Sequence, residues 1–371
     1  MKYLWAPLFI ILGSPLHGAG FQLSERSTKG LGRAFSGESA IGDDASILGS
    51  NPAGMSLLDD WSFATGASFI SPEVNARGMG VTGSIIADAV VPYSYLTKKV
   101  NEQFTFGIGV YTLFGLNSDY SREFATGAIV DHSDLLTFNI TPSLSYRINQ
   151  QWSIGAGFDA LYADGQINSR QPGIGGNLFD LTGDDWGYGY NLGILFELNE
   201  GTRFGLHYRS GIDLQGQAKV GAGFGVFPAG TYDGSLDIEL PGSLEFSAYH
   251  EVTAKLALHA DFLWTDWSVF ESLDPKVHPL IDSALAKEEN WHDSIRISIG
   301  ATYQYNNRLT FRGGLAYDES PVDNSYRTLR IPDGDRIWAS LGLTYQLNDT
   351  FALDLGYTHI FAESVEISPE A

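Results

Sequence analysis

Apolar and polar residues alternate with a period of two along most of this 371-residue chain. Ile295, Ile297, Ile299, Ala301, Tyr303 and Tyr305 are separated by Arg296, Ser298, Gly300, Thr302 and Gln304. Leu256, Leu258, Ala260, Phe262 and Trp264 alternate with His259, Asp261 and Thr265 in the same way. So do Ile337, Ala339, Leu341, Leu343, Tyr345 and Leu347, where only Trp338 breaks the polar register. A period of two sends successive side chains to opposite faces of an extended strand. The pattern predicts about thirteen strands, near 61–70, 89–99, 103–115, 133–148, 151–167, 184–198, 202–216, 232–249, 254–268, 292–305, 308–318, 333–347 and 350–367.

Most of these segments run to roughly 10–16 residues, whereas strands of soluble proteins centre on about five or six. A tilted strand needs about 9–11 residues to cross a bilayer. Short polar turns (Asn149-Gln150, Asn199-Glu200-Gly201, Asn306-Asn307, Asn348-Asp349) alternate with long connections near 71–88, 116–132, 168–183, 217–231, 269–291 and 319–332. Short turns on one side and long loops on the other are the outer-membrane barrel arrangement. Tyr146, Trp152, Phe204, Tyr303, Tyr305, Tyr345 and Phe351 flank the short turns, where an aromatic girdle belongs. Hydrocarbon satisfies no stray N–H or C=O, so such a sheet has to close on itself. The predicted fold class is therefore all-β, a transmembrane antiparallel β-barrel over residues 61–371.

Two segments precede the barrel. Lys2 and the apolar run Tyr3 to Leu12, followed by small residues through Gly18, read as a signal peptide over 1–18. That run is too short for a transmembrane helix, which needs about 20 residues. Residues 19–60 lack strand alternation, but Leu31, Phe35, Ile41, Ile47, Leu48, Met55, Leu57 and Leu58 favour a packed plug over a loose tail. A barrel of about fourteen strands is wide enough to need one.

Composition narrows the chemistry. Lys and Arg total 22 against 44 Asp and Glu, a net charge of −22, which argues against nucleic acid as a partner. Cysteine is absent, so a thiolate zinc site and a cysteine nucleophile are excluded. His132 and Ser133 lie beside Asp131 and Asp134, but adjacent residues of a strand point to opposite faces and cannot pair as base and nucleophile. There is no G-x-S-x-G elbow. The glycine-rich run Gly221 to Gly225 reads as loop, and the acidic turns Asp184-Asp185 and Asp333-Gly334-Asp335 read as solvated. No enzymatic activity, cofactor or metal is expected.

Several motifs carry a family resemblance: Gly20-Phe21-Gln22-Leu23, Gly30-Leu31-Gly32-Arg33-Ala34-Phe35-Ser36-Gly37-Glu38, Asp43-Asp44-Ala45 and Asn51-Pro52-Ala53. Further along come Trp186-Gly187-Tyr188-Gly189, Tyr208-Arg209-Ser210, Trp264-Thr265-Asp266-Trp267-Ser268 and Asp318-Glu319-Ser320-Pro321 with Ile331-Pro332-Asp333. Together they resemble the FadL-type long-chain fatty acid transporters over nearly the whole chain. The resemblance implies a 14-stranded barrel with an N-terminal hatch, in the outer membrane of a Gram-negative bacterium. It further implies a monomer that takes up long-chain fatty acids or similar hydrophobic compounds passively, with outer-membrane lipid as its surroundings. The chain departs from the family in stopping at Ala371, where members carry a fourteenth strand.

The resemblance also assigns residues. Lys287 aligns with a lysine that meets the substrate carboxylate, and Arg170 falls within one position of its arginine partner, with Ser169 as the ungapped match. Read by itself, Lys287 is a solvated loop lysine balanced by Glu288 and Glu289. Phe114, Gly115 and Leu116 fit the family's inward kink in the third strand, a lateral exit. Phe21, Asn51, Pro52 and Ala53 are the hatch residues expected to bound the pocket and shift when cargo arrives. Leu178, Phe179, Leu181, Val277, Leu280, Ile281 and Leu285 offer a first apolar landing groove. The alternatives are an aromatic-hydrocarbon channel and a general diffusion porin.

Overall fold

The computed structural model describes residues 20–72, 75–78, 81–84, 86–119, 132–170, 177–222, 230–277, 282, 286–328 and 331–365. The expected signal peptide at 1–18 lies outside them, as do Leu280, Ile281, Leu285 and the side chains of Leu178 and Phe179. Among the described residues, one antiparallel sheet holds sixteen strands. They are β1 (Trp61–Ile70), β2 (Ala89–Lys99), β3 (Phe104–Tyr111), β4 (Gly115–Asp119), β5 (His132–Arg147), β6 (Trp152–Arg170), β7 (Asn177–Asn199) and β8 (Thr202–Arg209). β9 (Ile212–Ala222), β10 (Gly230–Leu240), β11 (Ser243–Thr253), β12 (Leu256–Thr265), β13 (Ser294–Gln304), β14 (Leu309–Asp318), β15 (Arg336–Gln346) and β16 (Ala352–Ala362) follow.

The main path runs β1-β2-β3-β5-β6-β7-β8-β11-β12-β13-β14-β15-β16. β3 continues into β4, β8 into β9 and β10 into β11 across breaks of two or three residues. β1 and β16 are the two edges of this path, and no ladder joins them among the described residues. The closed cylinder expected from backbone satisfaction is thus an open sheet here.

Sidedness follows the alternation. Ile297, Ile299, Leu315, Leu341, Leu353 and Leu355 are exposed on the outer face, whereas Arg296, Ser298, Arg312, Arg336 and Ser340 are buried on the inner one. Polar-in and apolar-out is the inverse of a soluble core and suits a wall facing lipid.

The short turns owe their asparagines to a specific bond. Asn101, Asn149, Asn306 and Asn348 each accept two backbone N–H groups of their own turn, as from Gln151 (2.8 Å) and Trp152 (2.9 Å) to Asn149. Two of the expected long connections are shorter than the alternation suggested: β6 reaches Arg170, β7 begins at Asn177, and β9 with β10 extend to Ala222 and Gly230. Beyond the lipid band neither face needs to be apolar, so the strand continues while its signature fades.

Gly20 to Asp60 lies against the inner face. It forms a short helix α1 (Thr28–Leu31) capped by Ser27, and two 3-10 helices, Ala45–Gly49 capped by Asp44 and Pro52–Leu57 capped by Asn51. Its residues Phe35, Leu48 and Met55 are fully buried.

Candidate functional site

The ladder between β3 and β5 ends at Tyr111 opposite Asn139, and that between β4 and β5 resumes at Gly115 opposite Leu136. Four steps on one strand thus match three on the other, one surplus residue, which bends the strand as a bulge does. Thr137 closes the bend, its hydroxyl donating to the carbonyl of Phe114 (2.6 Å) and accepting that residue's N–H (3.2 Å). On the other side, β2 pairs with β3 only as far as Ser94, although its ladder with β1 continues to Ala89. The bent strand bonds instead to the N-terminal segment, from the Leu23 N–H to the Leu113 carbonyl (2.8 Å) and from the Gly115 N–H to the Phe21 carbonyl (2.9 Å). The wall is therefore parted between β2 and β4.

Phe21 sits beside this break in a cage of rings. Its ring centre lies 4.8 Å from Trp267, 5.4 Å from Phe270, 5.8 Å from Trp291 and 5.9 Å from Phe114. The preceding Gly20 has φ +59°, and a Cβ there would collide with the indoles of Trp291 and Trp267, so only glycine brings the backbone in. Two cavities meet at the cage. One, of about 100 Å³, is almost wholly apolar and is walled by Ala163, Leu181, Leu214, Leu236 and Phe270. The other, of about 1150 Å³, reaches the parting between β2 and β4. Phe21, Leu116 and Leu135 belong to the walls of both.

The sequence model of the family described as outer membrane protein transport protein (OMPP1/FadL/TodX) matches residues 11–371. The chain belongs to that family. A long-chain fatty acid transport protein of Escherichia coli O6:H1 is 35% identical, over 96% of this chain and 90% of its own length. Outer membrane protein P1 of Haemophilus influenzae is 31% identical, over 98% and 90%. Among solved structures, a FadL homologue of Pseudomonas aeruginosa superposes with a TM-score of 0.80 at 23% identity, covering 94% and 93%. The Pseudomonas putida toluene transporter TodX shares the fold with a TM-score of 0.67 at 19% identity, covering 93% of each chain. This FadL/TodX-family chain is an outer-membrane protein, and its family is one of transport proteins.

In this family member a buried ion pair within the wall, between β8 and β6, also reaches the N-terminal segment. Arg209 donates to Asp159 (2.5 Å), to the carbonyl of Gly49 (2.9 Å) and to the hydroxyl of Tyr111 (3.0 Å). Asp159 also accepts from Thr141 (2.7 Å), Asn139 (2.8 Å) and Asn191 (3.0 Å). Glycines of the wall supply close approach: a Cβ on Gly155 would run into the backbone of Ala53, on Gly205 into the carbonyl of Ser39, and on Gly314 into that of Arg33. Glu25, which lines the larger cavity, has its pKa raised by burial, against the opposing pull of neighbouring backbone N–H groups and Arg296.

The residues singled out from sequence fall in three places. Phe21, Phe114, Gly115 and Leu116 gather at the cage and the break. Asn51, Pro52 and Ala53 lie elsewhere, at the seam between segment and wall, and do not line either cavity. Asn51 donates to the carbonyls of Ser39 (2.7 Å) and Ile194 (3.0 Å) and accepts the N–H of Ala53 (3.0 Å), while Ser145 donates to the Ala53 carbonyl (3.0 Å). Lys287 is half-buried in a two-residue ladder opposite Leu273, a wall residue of the small cavity. Arg170 ends β6, three positions past the lining residue Ile167; its side chain lies outside the described residues.

The expectation of a solvated turn at Asp333 is corrected: Asp333 is 2% exposed and accepts the N–H of Gly20 (2.9 Å). Its burial comes from Arg336, Arg327 and Ser320 closing over the turn. Asp185 likewise accepts the N–H of Gln215 (2.8 Å). Arg209 stood in a motif that named no partner for it, and Gly155, Gly205 and Gly314 carried no local signal of their roles.

Proposed function

We propose that this chain takes up long-chain fatty acids and similar hydrophobic compounds passively, through the small apolar cavity and out by the parted wall. The observation that carries the reading is that the two cavities share wall residues beside the parted wall, Phe21 among them with Leu116 and Leu135, so that a shift of Phe21 would open one toward the other. Lateral release suits such cargo, because each CH₂ gains about 0.8 kcal/mol in lipid and never crosses periplasmic water. Lys287 pairs with the lining residue Leu273, and in this reading it and Arg170, three positions past Ile167 on β6, supply the charge that a carboxylate needs. The 35% identity to a protein named as a long-chain fatty acid transporter supports the cargo class. In this reading 1–18 is the leader, 19–60 the hatch and 61–371 the wall, working as a monomer.

Two measurements test it. Lys287→Ala is expected to weaken oleate binding about tenfold while heat-modifiable gel mobility, the signature of a folded barrel, stays intact. Unchanged affinity would take Lys287 out of the site. A Cβ at Gly115 would press on Leu23, so Gly115→Val is expected to slow uptake of labelled oleate more than it weakens binding. Equal uptake would argue against lateral release.

One observation favours a second reading, an aromatic-hydrocarbon channel. Among its described lining residues the small cavity has no Lys or Arg, whereas Asp134, Asp184 and Asp185 are there. A neutral ring needs no cation, so binding of toluene without binding of oleate would decide for it. A general diffusion porin needs an open polar lumen, and here the N-terminal segment packs into it. Swelling of liposomes in small sugars would bring that reading back.

A further inference from the structure

The geometry points to Asp333 as a positioning residue, the latch that holds Phe21 in its closed place. Its carboxylate is held by partners of the wall and its loops as well as by the N-terminal segment. Arg336 donates to one oxygen, and Ser320 donates to the other (2.8 Å). Arg327 donates to the Asp333 carbonyl (2.8 Å), and Arg336 is steadied in turn by Asp318 (3.2 Å). The oxygen shared with Ser320 then takes the N–H of Gly20, across 313 positions of sequence. That bond is charge-assisted and shielded from water, which makes it strong for a single contact.

Its position gives it leverage. The other ties of this stretch lie at Phe21 or downstream: the Phe21 carbonyl to Gly115, Gln22 to Thr265, Leu23 to Leu113 and Ser24 to Arg296. Asp333 alone, among the described residues, grips the chain ahead of the Phe21 side chain. Without it the ring can leave its cage by pivoting about the ties that follow. Gly20 fits the role, since any side chain there would push the backbone off the indoles and out of reach of the carboxylate. The latch rests on the reading in which cargo passes Phe21, but its grip can be measured without cargo.

The chain has no cysteine, so Gln22→Cys supplies a single thiol next to the ring. In that background, Asp333→Ala is expected to speed maleimide labelling about tenfold and Asp333→Asn about threefold, because the amide keeps an acceptor but loses the charge. Uptake of labelled oleate at low concentration is expected to rise in both, with gel mobility unchanged. Damage to the turn alone would lower uptake instead. Unchanged labelling in Asp333→Ala overturns the latch, as does reduced uptake through an intact barrel. Should Asp333→Ala lose its folded mobility, labelling of Asp333→Asn decides, and a rate equal to the parent's overturns the proposal. Faster labelling with unchanged uptake leaves the latch standing and refutes passage by way of Phe21.

Discussion

Replacing Arg209 with alanine is expected to loosen the N-terminal segment from the wall and to cost about 3–5 kcal/mol. The magnitude follows from what remains behind. Asp159 is fully buried, and without the guanidinium it keeps three neutral hydrogen bonds but no counter-charge. The carbonyl of Gly49 and the hydroxyl of Tyr111 lose their donor at the same time. Arg209→Lys is expected to cost less, since it restores the charge but not the planar fork that reaches three partners. Pairing Arg209→Ala with Asp159→Asn should recover part of the loss, because it removes the stranded charge. The temperature at which the folded gel band disappears measures each variant. An alanine variant as heat-resistant as the parent would show that the pair contributes little.

The second large effect is expected at Gly205. A Cβ added there would overlap the carbonyl oxygen of Ser39, which is backbone and has no flexible end to swing aside. Gly205→Val therefore forces either the strand or the segment to move, at a cost of about 1–3 kcal/mol or more. β8 is held by ladders on both sides, to β7 and to β11, so the segment is the part that yields. The expected result is a folded barrel with a leaky lumen, read as faster swelling of liposomes in small sugars. A valine variant as tight as the parent would show that the segment does not seal the lumen at this seam. Gly216→Val is the control: its Cβ position meets only the Leu236 carbonyl, at an ordinary 3.5 Å.

These two sites show why part of the molecule escaped the sequence. Arg209 occupies a polar position in an alternating strand, and a polar position facing the lumen looks the same whether water or a carboxylate meets it. Gly205 looks like any strand glycine. Asp333 lies in an Asp-Gly-Asp turn whose composition resembles a solvated loop, yet three neighbours bury it. Asn51, Pro52 and Ala53 stood out as a motif, but which surface they press on depended on where Gly155 and Gly193 bring the wall within reach. Phe114 was singled out from family likeness; that the bent strand bonds to the backbone of Phe21 and Leu23 was not legible.

Residue order alone determined the strands, their sidedness and the side on which the turns are short. A period of two is a local property that lipid on one face imposes on every strand, and an asparagine that bonds to its own turn needs no distant partner. The tertiary structure decided what each inward residue touches, where the strand bends away from β2, and that Gly20 meets Asp333. Those choices join residues from tens to hundreds of positions apart. Each is settled by shape and charge across the lumen, and no pattern along the chain encodes it.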